Sequence, residues 1–539
     1  MLPNRPTRLR GATIGFAVAL ATAILSAQPP RSTAFDLEEA TVAQLQRRME
    51  TGEDTSRTLV DKYLARIQAV DRSGPELRSI LEINPDATSI ADALDAERKA
   101  GRIRGPLHGI PILLKDNIAT HDRMMTTAGS LALAGAPAPR DAFIVERLRA
   151  AGVVILGKTN VSEWANFRST HSSSGWSGRG GQTKNPYALD RNPSGSSSGS
   201  GAAIAANLAA LAVGTETDGS IVSPSNVNAL VGIKPTLGLI SRTGIVPIAH
   251  SQDTAGPMAR SVTDAALLLA AMSGSDPADA ATRRADARQR REYSTSLVRD
   301  GLRGARIGVV RNRLFGYNPA TDALAEAAIA DLKREGAVIV DPAPIPTLGK
   351  FDESELDVLF YEFKADLNKY LASLGASTHM RSLKDLIAFN DAHKDGELRY
   401  FGQEIMLTAQ AKGPLTEAKY RAELARNHLL SRAQGIDATM TKYKLDALIA
   451  PTGGPAWITD LVNGDGGTAS APGPSTVTSV AGYPHITVPM GLVSGLPVGL
   501  SFFGRAWSEP TLIKLAYAYE QATKHRRPPT FAPTAAVSP

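Results

Sequence analysis

Short apolar runs alternate with helical patterns along most of the chain, and this alternation restricts the fold more than any other feature. Helical periodicity predicts helices over 141–151 and about 323–335, between runs that have the length of buried strands. Those runs are 110–114, 153–156, 307–310, 337–340, 445–452 and 481–491. Because strands that alternate with helices bury their apolar faces in layers, the sequence predicts an α/β fold.

The chain is long enough for several domains, but its organisation favours one. Its 539 residues are 43% hydrophobic, and length alone suggests about two to four domains. No internal repeat is visible, and no linker longer than one Gly/Ser segment divides the chain. We therefore expect a single large domain, with a helical pair over about 37–67 at its start and a mainly helical insert over about 352–442.

The first residues have the pattern of a secretory signal. Three arginines precede an apolar run over 11–27, which ends in small residues before a Gln-Pro-Pro sequence. Since the run is short for a spanning helix, we predict a cleaved signal peptide over 1–27 and a periplasmic or secreted protein with no stable membrane span after cleavage. An uncleaved membrane anchor is the alternative.

Composition excludes several classes of chemistry. The chain has no cysteine, which excludes disulfides, thiolate metal sites and cysteine nucleophiles. The nine histidines are widely spaced and form no metal-binding motif, so we predict neither a metal nor a cofactor. The net charge of +6 comes without a long basic run, which argues against a nucleic-acid partner.

Three segments carry residues suited to catalysis. The segment GPLHGIPILLKDN, 105–117, ends an apolar strand at Lys115, which is either a surface charge or a desolvated amine. The segment PSGSSSGSGAA, 193–203, has the composition of a linker but leads directly into a predicted helix over 202–212. The segment GTETDGSI, 214–221, places Ser220 after a turn through Gly219, as a nucleophile or as a helix cap.

A fourth pattern has little weight. Residues 195–199 satisfy G-x-S-x-G, the nucleophile elbow of α/β-hydrolases, with Ser197 at its centre. In a segment of only serine and glycine this match follows from composition. The downstream His485 and His525 stand in no recognisable catalytic context.

Taken together, these segments resemble the amidase signature family of serine hydrolases. Further matches are LGKTNVSEWAN at 156–166, GGQTKNPY at 180–187, SQDTAGPMARS at 251–261 and AGYPHITVPMG at 481–491. Within the family, the residues of these motifs are most similar to those of bacterial peptide amidases. The resemblance covers about 36–525, with a tail over 526–539, and implies the amidase signature fold: a large mixed twisted central sheet covered by helices on both faces.

The resemblance also implies the roles of particular residues. Ser220 matches the acylated nucleophile, Lys115 the general base, and Ser196, in an unusual cis peptide, the bridge between them. Ser197 is at most a supporting hydrogen-bonding residue. The oxyanion hole is expected to consist of the backbone N–H groups of Thr217, Asp218, Gly219 and Ser220.

This sequence departs from the commoner family motif GTDTGGSIR at Glu216, Asp218 and Val222. Asp218 matters most, because a carboxylate beside an oxyanion hole opposes developing negative charge unless it points away. It is expected either to bind a polar or cationic group of the substrate or to make a purely structural hydrogen bond.

The function implied is hydrolysis of a carboxamide, such as the C-terminal amide of a peptide or a related small amide, to the acid and ammonia. Alternatives within the fold are hydrolysis of aryl or fatty amides, esters or carbamates. Membership of a tRNA-dependent amidotransferase complex is a further alternative, against which the export signal argues, and a non-catalytic binding protein is the last. The expected partner is a small-molecule or peptide amide, with its acyl part near 169–176 and near 360–370 of the insert. The sequence gives no indication of oligomeric state.

Overall fold

A computed structural model describes residues 35–288, 293–465 and 473–536. The predicted signal peptide, 1–27, lies outside the described residues and stays a prediction. From Glu39 onward the chain forms one compact unit. The predicted single large domain is therefore confirmed.

The core of this unit is a mixed sheet. In the described part of the chain it has 11 strands in the order β1-β3-β2-β6-β8-β7-β12-β13-β11-β9-β10, and β4 and β5 pair separately. The strands are β1 Ile80–Ile83, β2 Pro111–Lys115, β3 Val154–Thr159, β4 Trp176–Ser177, β5 Gly181–Gln182, β6 Leu211–Glu216, β7 Val231–Lys234, β8 Thr254–Ala259, β9 Arg306–Val309, β10 Val338–Val340, β11 Ala447–Pro451, β12 His485–Val493 and β13 Leu496–Phe503.

Helices flank the sheet, as an α/β fold requires. They are α1 Val42–Thr51, α2 Ser56–Ile67, α3 Ala87–Lys99, α4 Phe143–Ala150, α5 Ser198–Ala205, α6 Val222–Val227, α7 Val262–Met272, α8 Ala285–Arg288, α9 Pro319–Arg334, α10 Asp352–Ser373, α11 Leu383–Ala392, α12 Lys394–Glu397, α13 Glu404–Gln410, α14 Ala418–His428, α15 Asp437–Tyr443, α16 Ser475–Ala481 and α17 Glu509–Thr523. The predicted N-terminal pair is α1 and α2, which begin at the capping residues Thr41 and Thr55. The predicted helical insert contains α10 to α15. In the part of the chain that the structure describes, no helix combines the length and the apolar character needed to cross a bilayer.

The strands β3, β2 and β6 determine where the site forms. They run parallel and side by side, and every residue in all three is buried. Strands buried on both faces are continuous apolar runs, which is why 110–114 and 153–156 could be recognised in the sequence. Because parallel strands end at the same edge of a sheet, Lys115 at the end of β2 and Glu216 at the end of β6 lie at one edge.

Two local predictions were wrong. The helix predicted over 202–212 is α5, which begins at Ser198 inside the Gly/Ser segment and ends at Ala205. Asn207 has a left-handed φ of 59°, which ends the helical path, and pairing with β2 and β8 makes 211–213 part of a strand. The turn predicted at 158–160 begins later, because Lys158 and Thr159 extend β3.

Candidate active site

Lys115 occupies the centre of the site. Its side chain is completely buried, so the surface-charge interpretation of the sequence is wrong. The Nζ atom lies 2.8 Å from Ser196 Oγ, 2.8 Å from Thr215 Oγ1 and 3.2 Å from the Thr215 carbonyl oxygen. The amine is therefore in direct contact with the serine predicted to bridge it to the nucleophile.

Burial also changes the acidity of this amine. Removal from water disfavours the ammonium form and lowers the pKa of Lys115 to about 7, although the carboxyl groups of Glu216 and Asp253 act in the opposite direction. A neutral amine has a lone pair that can accept a hydroxyl proton. Lys115 is thus suited to act as a base near neutral pH.

Ser196 is held by the Gly/Ser segment that the sequence analysis singled out. The Gly195–Ser196 peptide bond is cis, and Ser196 is 1% exposed. The Ser162 N–H donates to the Ser196 carbonyl oxygen over 3.1 Å, and a Cβ on Gly195 would collide with the Ser162 hydroxyl. The glycine therefore permits a close approach of two chain segments, and the segment is a packed part of the site rather than a linker.

Ser197 connects this segment to its neighbours. Its N–H donates to the Ser220 carbonyl oxygen over 3.2 Å, its Oγ donates to the Thr215 carbonyl oxygen over 3.1 Å, and the Thr215 N–H donates back to Oγ over 3.2 Å. These bonds place the segment that carries Ser196 beside the turn that carries Ser220. Ser197 thus has the geometry of a supporting residue.

The elbow interpretation of residues 195–199 does not fit this arrangement. The Ser197 hydroxyl is fully buried and bonds only β6 backbone atoms. His485 lies 2.6 Å from Ser501 Oγ, and burial lowers its pKa to about 3. Among the described hydrogen bonds, none joins His485 or His525 to Ser197.

Ser220 stands in a turn between β6 and α6. Gly219 has a φ of 77°, a conformation that glycine adopts without strain, and Ser220 is 9% exposed. Glu216 Oε2 accepts the N–H groups of Ile221 over 2.7 Å and Val222 over 3.1 Å. A buried carboxylate at the end of β6 therefore holds the last part of the turn, where α6 begins, in place.

The four residues predicted to supply the oxyanion hole follow one another in this turn. Within residues 35–288, 293–465 and 473–536, their backbone N–H groups donate to no protein acceptor. Such N–H groups are rare in buried chain and suit a developing negative charge. The residues are Thr217, Asp218, Gly219 and Ser220.

Asp218 makes one bond of a structural kind. Thr476 Oγ1 donates to Asp218 Oδ2 over 2.7 Å, and burial raises the pKa of this carboxyl. Among described groups, its other oxygen accepts no hydrogen bond. The structure thus supports the hydrogen-bond interpretation of Asp218, while Oδ1 has no hydrogen-bond donor among the described groups.

Three functional neighbours were missed by sequence reasoning. Thr215 binds the Lys115 amine, Asn117 donates to Thr215 Oγ1 over 2.9 Å, and Asp253 accepts the Thr217 hydroxyl over 2.6 Å. Each lies inside a motif that drew attention for another residue. The available signal was a polar side chain in a buried strand or within two residues of one.

A cavity of about 340 Å³ adjoins these residues. Thr215 and Thr217 form one part of its wall, and residues 242–248 form another. Asp366, Lys369 and Tyr370 of α10, in the 360–370 part of the insert, also line it, whereas no residue of 169–176 does. Its volume is within the range of small-ligand sites.

One group of side chains has potential metal ligands close together. Atoms of His250, Glu362 and Asp366 lie within 4.8 Å of one another. Imidazole Nδ1 is 2.8 Å from Asp366 Oδ2, whereas Nε2 is 3.4 Å from Glu362 Oε1. The two carboxylates face different ring nitrogens, which is the geometry of an ion-pair network rather than of ligands around one ion.

Comparison with known proteins gives consistent matches. The family model named Amidase matches residues 58–513. A probable amidase of Arabidopsis thaliana is 43% identical over 509 residues, which are 93% of each chain. A glutamyl-tRNA(Gln) amidotransferase subunit of Synechococcus sp. is 34% identical and covers 92% of this chain and 94% of its own. The native peptide amidase from Stenotrophomonas maltophilia, a solved structure, is 53% identical, with a TM-score of 0.88 over 92% of this chain and 99% of that one.

Proposed function

The chain belongs to the amidase family, and from that premise we propose that it hydrolyses the C-terminal carboxamide of peptides, or a related small amide, through an acyl-enzyme on Ser220. The single observation that carries this proposal is the contact of 2.8 Å between the buried Lys115 amine and Ser196 Oγ. A serine hydroxyl is a poor nucleophile and needs a base within hydrogen-bond reach. Lys115 supplies that base through Ser196.

In the first half of the proposed reaction, Ser220 Oγ attacks the carbonyl carbon of the amide. Its proton passes to Ser196 Oγ, whose own proton passes to Lys115 Nζ, since a hydroxyl both donates and accepts. The carbonyl oxygen becomes an oxyanion held by the N–H groups of residues 217–220. Each such donor contributes about 3 kcal/mol to lowering the barrier.

In the second half, the C–N bond breaks and the proton returns from Lys115 through Ser196 to the leaving nitrogen, which departs as ammonia. Water then attacks the ester on Ser220, with Lys115 again accepting a proton by way of Ser196. The acid is released and Ser220 regains its proton. The net reaction consumes one water molecule and needs no cofactor.

Two observations favour peptide amides among the possible substrates. The chain is 53% identical to a peptide amidase over nearly its whole length. The cavity beside Lys115 has room for a group larger than a simple acyl chain. Aryl or fatty amides, esters and carbamates are the alternatives, because the same acyl chemistry accepts different leaving groups.

A second candidate is a role in a tRNA-dependent amidotransferase, which the 34% identity to the Synechococcus protein favours. The N-terminal arginines and apolar run of 1–27 favour an exported enzyme instead, because charged tRNA is cytoplasmic. Export to the periplasm or medium is therefore part of the proposal. Expression of the full chain in a bacterium, with the mass of the exported product measured, tests it: loss of about 27 residues is expected, and a full-length cytoplasmic product would contradict it.

Ammonia release from a panel of peptide amides, aryl amides, esters and carbamates tests the activity. We expect fastest turnover of peptide amides, and loss of turnover in Ser220→Ala. Ser223→Ala is the matched control, because Ser223 follows the same turn, at the start of α6. Among the described residues, its side chain hydrogen-bonds only to Ser194. An active Ser220→Ala variant, or a preference for esters over every amide, would contradict the proposal.

A further inference from the structure

The cavity beside Lys115 contains more charged side chains than its proposed role requires. Its inner wall includes Thr215, whose hydroxyl is 2.8 Å from Lys115 Nζ, and Thr217, the first residue of the oxyanion turn. When the leaving group is ammonia, every other part of the substrate belongs to the acyl part. The acyl part therefore has to extend along such a cavity, and the charges on its wall face the substrate.

Most of these charges are neutralised within the protein. Arg242 Nε is 2.9 Å from Asp279 Oδ2, and His250 Nδ1 is 2.8 Å from Asp366 Oδ2. Glu362 and Tyr420 stand on the far side of the same imidazole. Arg242 and His250 therefore already have acidic partners within the protein.

The other acids in the wall, Glu216 and Asp253, also bond within the protein, and Glu216 accepts the N–H groups of Ile221 and Val222. Asp253 accepts the Thr217 hydroxyl over 2.6 Å and the N–H groups of Ile248 and Ala249 over 2.8 and 2.9 Å. Burial raises the pKa of Asp253 to about 6. Its carboxylate is directed at the protein and not at a ligand.

Two cations are left without a counter-charge. Arg140, before α4, and Lys369, on α10, line the cavity and are exposed at its mouth. Within the described ranges 35–288, 293–465 and 473–536, neither side chain makes an ion pair or a hydrogen bond. The charge of Arg140 acts on the hydroxyl of Tyr370, the residue after Lys369, so Arg140 lies near this part of α10.

We propose that Arg140 and Lys369 select substrates whose acyl part has an anionic group, so that the preferred peptide amides contain Asp or Glu near the amide end. This inference rests on the proposed function and specifies its substrate class. Unpaired cations at an opening with low-dielectric walls attract an anion and raise its rate of productive encounter. Because both side chains are in contact with water, the attraction is screened by salt.

The test compares kcat/KM for peptide amides that differ only in charge. The substrates are N-acetyl-Glu-Leu-amide, N-acetyl-Gln-Leu-amide and N-acetyl-Lys-Leu-amide, together with the series in which the charged residue carries the amide itself. In at least one series we expect Glu to exceed Gln by about tenfold, which corresponds to about 1.4 kcal/mol, and Lys to fall below Gln. The ratio of Glu to Gln should fall strongly between about 0.02 M and 0.5 M NaCl.

The double variant Arg140→Gln/Lys369→Gln assigns the preference to these residues. We expect its Glu to Gln ratio to approach one, and the Gln substrate measured with the same preparation serves as the internal reference. The control is Lys99→Gln/Arg102→Gln, which removes one exposed lysine and one exposed arginine outside the cavity wall. Its ratio should equal that of the unmodified enzyme.

Two outcomes overturn the inference without touching the proposed function: equal hydrolysis of Glu and Gln substrates in both series, or a Glu preference that survives in the double variant. Failure to hydrolyse any of these amides while another class of substrate is turned over would instead contradict the proposed function, and the inference with it.

Discussion

If Lys115 is the base, the pH dependence of kcat/KM must follow the protonation of its amine. Its pKa of about 7, against 10.5 for an ordinary lysine, makes about half of the molecules neutral at pH 7 instead of about one in 3000. The difference corresponds to about 5 kcal/mol favouring the neutral amine. Because the neutral form is the active one, kcat/KM should fall about tenfold per pH unit well below pH 7 and level off above about pH 8.

A substitution moves this break in a direction that the structure determines. The carboxylate of Asp253 raises the pKa of Lys115, so Asp253→Asn should shift the break to lower pH, by up to about one unit. The substitution also weakens the bond to Thr217, so the height of the plateau is expected to fall. The position of the break, rather than its height, reports the electrostatic effect.

The assay is the initial rate of ammonia release from a neutral peptide amide from about pH 5 to about pH 9, at constant ionic strength and with substrate well below KM. Activity after return to pH 7 separates titration from unfolding. A flat profile, or a kcat/KM that still rises about tenfold per pH unit up to pH 9, would refute the role of Lys115. A shift to higher pH in Asp253→Asn would refute the electrostatic argument.

Other expectations follow from the same contacts. Ser196→Ala should lower kcat/KM by at least about 100-fold and Ser198→Ala by less than about tenfold, because of these two serines only Ser196 contacts the Lys115 amine. Equal losses would make the segment purely structural. Asp218→Asn keeps an oxygen that can accept from the neighbouring threonine hydroxyl, so kcat/KM should stay within about threefold for every amide. A loss confined to one substrate class would reveal contact with the substrate. Glu216→Ala should lower the free energy of unfolding, measured in urea titrations, by about 2–4 kcal/mol. Glu216→Gln should lower it by less than half of that, because the amide oxygen still accepts an N–H. Equal effects would mean that the bonds to the turn contribute little.

The family, the fold class and the segments that meet at the candidate site could be predicted from the sequence because short motifs carry them. The strand before Lys115, the Gly/Ser segment and the turn through Gly219 are each local, and each was found where the structure has it. The burial of β2 and β3 on both faces made their apolar runs visible.

What could not be predicted depends on contacts between distant segments. Thr215 binds an amine 100 positions away, and only the pairing of β6 with β2 brings them together. The end of α5 depends on the left-handed Asn207, a conformation that no sequence pattern marked. Likewise, Arg140 and Lys369 are ordinary surface cations until the fold places both on one cavity.

The central claim is that the reaction passes through an ester on Ser220. Its most direct test is the intact mass of the enzyme, quenched in acid within the first turnover of a slowly hydrolysed amide or its ester analogue, followed by identification of the modified peptide. We predict an added mass equal to the acyl group, located on Ser220 and absent in Ser220→Ala. Turnover without any adduct, or an adduct on another residue, would contradict the account.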